Sequence, residues 1–277
     1  MATWEELLRY RPHPDVWLVV GALAVMYVTA VRRWASGPPA ERRRRGLAFA
    51  VGLLLLWVAT DWPMEDVAER SLLSVHMAQY LVLAMIAPGL MLLGLPREVV
   101  DRVLAGRGRR ALARAASRPW AAWLVVNLVL VVSHWNPVIE AYLANSLVHL
   151  VMHIVWFASG MVLWWPVLSP LPDVPRLSPP AGIGYLFVQS VVPTIPASFL
   201  TLGDTPLFAA YERLPKPPGI DAMTDQRIAG LLMKIGGGVI LWSAIATIFF
   251  RWSLREERSA RTSSERRAEA VQDTTFL

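Results

Sequence analysis

The run from Asn145 to Pro166, NSLVHLVMHIVWFASGMVLWWP, is apolar over a length that matches the hydrocarbon core of a bilayer. Few structures are open to such a segment. In lipid every backbone N–H and C=O must be satisfied internally, which dictates a helix. The run nevertheless carries His149 and His153, four residues apart and therefore on one helix face, with Met152 beside them. Polar side chains at membrane depth are costly without partners, so two imidazoles on one face point to a shared task.

The remaining chain alternates apolar runs with charged or proline-rich blocks. Runs at Asp15–Val31, Gly46–Trp62, Leu72–Leu95, Trp120–His134, Leu147–Leu168, Gly182–Leu202 and Ile228–Phe250 predict an all-α integral membrane protein with seven transmembrane helices over residues 15–250. Residues 1–14 form a short polar segment, and the Arg, Glu, Ser and Thr of residues 251–277 read as a solvated, disordered basic tail. The first run lacks a basic n-region and a small-residue cleavage site, so it reads as a retained span. Most of the 27 lysines and arginines fall in the blocks after the first, third, fifth and seventh runs. The positive-inside rule then places the N-terminus outside and the C-terminus in the cytoplasm. The arginines of residues 96–119 read as an amphipathic interfacial segment facing anionic lipid at the cytoplasmic face. No basic-aromatic pattern of a nucleic-acid surface accompanies the net charge of +6.

This topology gathers the histidines into a layer. His76 in the third run and His149 and His153 in the fifth lie roughly 3–9 Å below the outer boundary at the helical rise. His134 closes the fourth run on the same side, and Met77, Met152 and Met233 lie at a similar level. His13, before the first run, reads as a solvated residue. The chain contains no cysteine. A metal site must therefore use imidazole, thioether or carboxylate, and His with Met favours copper, the thioethers assisting the reduced ion. A haem held by His76 and His149 on facing helices is the alternative cofactor, which would make the chain a membrane cytochrome. Lys234, about 9 Å deep by the same rise, is expected to snorkel toward Asp225 or Asp221. Pro193 and Pro196 should kink the sixth run, and Gly94, Gly160 and Gly236 to Gly238 suit close helix packing. Enzymatic signatures are absent. His149 and His153 have the spacing of a zinc-protease helix, but Leu150 stands where the general base belongs. A transporter built on the kinked sixth run and Lys234 lacks an inverted repeat.

SVHMAQYLVLAMIAPGLMLLGLP at 74–96, HWNPVIEAY at 134–142, HLVMHIVWFASGMVLWWPVL at 149–168 and DQRIAGLLM at 225–233 together resemble the CtaG-type cytochrome c oxidase assembly factors, the caa(3)-type integral membrane family. The likeness runs in order from about Trp57 to Phe250. It implies a multi-pass protein of the bacterial plasma membrane, not an enzyme, whose partner is a haem-copper oxidase subunit. It further implies help in placing copper, as a metallochaperone; a metal-free scaffold for oxidase biogenesis is the other reading. The family's histidines match His76, His134, His149 and His153, and its Asp-Gln pair matches Asp225 and Gln226. This chain departs from the pattern at Tyr80, where the family usually has a second histidine, at Met152, where an acid is common, and at Lys234, where an aromatic often stands.

Overall fold

A computed structural model describes residues 3–174 and 176–275, and among these every regular element is a helix. Helices α1 (Trp4–Leu7), α2 (Pro14–Trp34), α3 (Pro39–Thr60) and α4 (Met64–Arg70) open the chain. The third run is one rod of α5 (Leu73–Leu81), a π turn at Val82–Ile86 and α6 (Ala87–Gly94). Then come α7 (Arg97–Val103), α8 (Arg107–Ala116), α9 (Pro119–Ser133), α10 (Asn136–Ala144) and α11 (Ser146–Leu168). The chain ends with α12 (Pro179–Val191), α13 (Thr194–Leu202), α14 (Ala209–Arg213), α15 (Ala222–Leu231), a second π turn at Leu232–Gly236 and α16 (Gly237–Thr275).

Five rods are long and apolar enough to cross a membrane: Pro14–Trp34, Leu73–Gly94, Ser146–Leu168, Pro179–Leu202 and Ala222–Ser263. The number rises to as many as seven if α3 with α4, bent by 41°, and α8 with α9, bent by 84°, each count as one span. The two ambiguous spans have a simple cause. α9 has only 15 residues, and α3 spends its first turns on Arg42 to Arg45, so neither offers the roughly 20 apolar residues of an upright span.

The Leu73–Gly94 rod is the axis of the bundle, with 72% of its apolar window buried against none for Pro14–Trp34. Two small residues let neighbours approach it. A Cβ on Gly160 of α11 would lie 2.4 Å from the Ala84 carbonyl oxygen, and one on Gly94 would lie 2.6 Å from Phe49. Pro88, with no N–H, cannot donate to that Ala84 carbonyl, and the Val82–Ile86 π turn sits where the ladder is interrupted. The Pro179–Leu202 rod breaks between Val191 and Thr194, at the expected Pro193. Helix α2 stays on the periphery. It is fastened by Trp17, whose Nε1–H donates to Asp61 at 2.7 Å, and by Tyr27, which donates to the Gly94 carbonyl at 3.0 Å.

Two expectations are revised outside the bundle, for the tail and for His13. Beyond Arg251 the last rod continues as helix through Thr275 where a disordered tail was expected, in keeping with the helix-forming Arg, Glu and Ala of that stretch; residues 276–277 lie outside the described residues. The N-terminal segment, of which residues 1–2 are not described, holds the capped helix α1, with Thr3 and Glu6 forming a reciprocal capping box. His13 is not simply solvated. Its Nε2 lies 3.0 Å from Asp66, a carboxylate also approached by Arg70 at 3.5 Å and Arg11 at 3.8 Å. Those partners let Asp66 be buried.

Candidate metal centre

α11 begins on a well-formed cap, Asn145 Oδ1 accepting from the N–H groups of Leu147 and Val148. This start sets His149 and His153 one turn in, on the face turned toward the bundle, with ring centroids 4.3 Å apart. Opposite them lies α4, a helix of seven residues whose acidic positions divide between two sides. Asp66 faces the N-terminal segment, and Glu65 faces the histidines.

His149 Nε2–H donates to Glu65 Oε1 at 2.5 Å. Glu69, one turn along α4, brings Oε1 to 2.6 Å from His149 Nδ1, close enough for an ion pair but out of line for a hydrogen bond. The other Glu65 oxygen accepts from the Gln79 amide, which also donates to the Ala59 carbonyl at 2.7 Å. Glu65 is only 6% exposed and Gln79 is fully buried. His153 Nε2 is buried with no hydrogen-bond partner. One ligand atom from each of Glu65, His149 and His153 lies within 4.8 Å of the other two.

Aromatic rings wall this cluster. Tyr142 of α10 stacks on His149 at 4.2 Å, and its hydroxyl is hydrogen bonded to His76 Nδ1 at 3.3 Å. Trp156 packs against His153 at 5.6 Å and His76 at 5.3 Å, and Tyr211 against His76 at 5.7 Å. Charge and nitrogen lone pairs thus meet in a largely buried, aromatic-lined recess.

The four sequence-derived histidines do not converge on one point. His76 is in the same layer and buried, but it does not join the 4.8 Å set and engages Tyr142 instead. His134 caps the end of α9, its Nδ1–H donating to the Leu130 carbonyl at 2.8 Å, and Tyr80 packs against it at 5.4 Å. Met77 and Met233 are buried, and Met152 is part-buried, all within the main apolar cluster. Asp225 has a different partner from the one expected. Its carboxylate accepts from Leu73 N–H at 2.8 Å and Ser74 N–H at 2.9 Å and pairs with Lys216 Nζ at 3.3 Å. Asp221 caps its own helix through Thr224 N–H at 2.7 Å. With both carboxylates committed to backbone donors, Lys234 remains exposed, lining a cavity of about 40 Å³ with Tyr80, Asn127 and Gln189.

Glu65, Glu69, Gln79 and Tyr142 were given no role by the sequence reading. One signal was available: the seven residues after Trp62-Pro63 hold Glu65, Asp66 and Glu69, on the side of the apolar runs where the histidines lie. The fold therefore defines a polytopic helical membrane protein with a buried carboxylate–imidazole cluster, a composition suited to a first-row transition metal. The sequence matches the cytochrome c oxidase caa3 assembly factor family (Caa3_CtaG) over residues 25–255, and the chain belongs to that family.

Two curated relatives bear no functional name. The uncharacterized protein Mb0105 of Mycobacterium bovis is 25% identical over 310 aligned positions, covering 96% of this chain and 45% of the relative. The uncharacterized protein ML1998 of Mycobacterium leprae is 27% identical over 255 positions, covering 79% of this chain and 37% of the relative. The chain thus spans less than half the length of these relatives. No solved structure matches the chain.

Proposed function

We propose that this assembly factor holds a copper ion on Glu65, His149 and His153 and passes it to a haem-copper oxidase subunit during biogenesis. The observation that carries the reading is the convergence of those three ligand atoms within 4.8 Å in a buried recess. A metal bound at about 2.0–2.1 Å by each ligand holds them roughly 3.3 Å apart, so small side-chain rotations would convert the self-paired cluster into a coordination shell. The orphan lone pair of His153 supports this reading, because a buried imidazole nitrogen without a partner is costly. Gln79 and Glu69 act as outer partners, orienting Glu65 and His149. Three protein ligands leave a coordination position open, which suits cargo that must leave again.

In this reading the bundle crosses a bacterial plasma membrane with seven spans, the N-terminus outside and the site near the outer face. The arginines of α8 and of the last helix then meet anionic cytoplasmic lipid. The role is non-catalytic. The haem alternative is disfavoured by Tyr142, whose ring packs against both His76 and His149 and occupies the space between them.

The test is the metal content of purified protein beside the double variant His149→Ala, His153→Ala, with oxidase activity recorded in the same cells. Wild-type protein should retain close to one copper and the double variant essentially none, with a parallel loss of oxidase activity. Equal copper in both proteins would remove the ligand assignment.

A further inference from the structure

The charge around His149 bears on which form of the metal the site accepts. Glu65 and Glu69 lie one turn apart on α4 and approach opposite nitrogens of the same imidazole, at 2.5 and 2.6 Å. Glu65 is held from behind by the Gln79 amide, so its carboxylate presents Oε1 to the histidines in a fixed orientation. Carboxylate oxygen with neutral imidazole suits dications such as Cu(II), whereas Cu(I) prefers thioether and thiolate. Net charge works in the same direction. The Glu65 carboxylate beside the ion and the partly exposed Glu69 carboxylate across the His149 ring together balance a dication and leave a monocation one negative charge in excess, and excess charge in largely buried surroundings is costly.

We infer that the site takes its cargo as a dication, binding Cu(II) more tightly than Cu(I). This inference rests on the copper-carrying role proposed above and chooses an oxidation state that the sequence left open, with no part for Met77, Met152 and Met233 as assistants to a reduced ion. Glu65 supplies the selective ligand and Glu69 the second balancing charge.

The experiment titrates purified full-length protein with Cu(II), and separately with Cu(I) under anaerobic conditions, each against a chromophoric competitor. Electron paramagnetic resonance of the Cu(II) form should show nitrogen hyperfine structure. The wild-type protein should hold Cu(II) more tightly than Cu(I), which places the bound copper couple at a lower potential than aqueous copper. Glu65→Gln should weaken Cu(II) by at least about 100-fold, and Glu69→Gln by roughly 10-fold to 100-fold, the range for lost outer partners. Both should weaken Cu(I) much less than Cu(II). Tighter binding of Cu(I) by the wild type, or equal weakening of the two ions by Glu65→Gln, overturns the inference. The wild-type ratio decides the matter even if a variant fails to fold. Retention of neither ion would instead defeat the copper-carrying role itself.

Discussion

Asp225 illustrates how a charged residue is accommodated inside an apolar bundle. It is 1% exposed, and its two oxygens are spent on the first N–H groups of α5 and on Lys216. The helix N-terminus contributes partial positive charge and Lys216 a full one, so the carboxylate serves as cap and counter-ion at once. Burial lowers the Lys216 ammonium below the usual lysine range, against the opposing pull of Asp225. Asp225→Ala should therefore destabilise by about 3–5 kcal/mol, the cost of leaving a partner charge buried and alone. Asp225→Asn, which keeps an acceptor oxygen, should cost less. Thermal unfolding in detergent, followed by tryptophan fluorescence, measures both, and an Asp225→Ala protein as stable as wild type would refute the assignment. Gln226 extends the clamp by accepting from Leu207 N–H at 2.6 Å, which ties the 203–221 loop to the same helix. The Asp-Gln pair picked out by family resemblance therefore has an architectural task.

At the scale of elements, the short helix α4 and the central rod decide most of the geometry. α4 is too short to span anything, yet it turns Glu65 toward His149 and Asp66 toward His13. The central rod receives α11 at its π turn, where Gly160 meets the Ala84 carbonyl. Gly160→Ala forces a Cβ against backbone, which cannot rotate away, and should cost about 1–3 kcal/mol by overpacking. Gly238→Ala meets nothing within 4 Å and sits in a helix, so it should be neutral or gain up to about 1 kcal/mol. Paired melting curves of the two variants separate these outcomes. Equal effects would mean that the glycines serve backbone freedom and not close packing.

For the molecule as a whole, the testable matter is which side of the membrane holds the recess. The chain has no cysteine, so single cysteines can be labelled without background. Exposed Glu5 and Glu257 stand at opposite ends of the described chain. In intact cells a membrane-impermeant thiol reagent should modify a Glu5→Cys protein and spare Glu257→Cys until the cells are lysed. The reverse pattern would put the recess on the cytoplasmic side and exclude delivery to an outward-facing copper centre. The helical class, the order of the apolar rods and the proline break in Pro179–Leu202 were legible from the sequence. Those features follow from local periodicity and from the demand that lipid places on backbone hydrogen bonds. Which histidines lie together with a carboxylate was decided only by tertiary packing. His149 and His153 are neighbours by helical spacing alone, but Glu65 reaches them across 84 residues of chain, and Tyr142 comes between them and His76. Helical period reports neighbours on one rod; contacts between rods depend on bends, π turns and missing side chains, which periodicity does not encode.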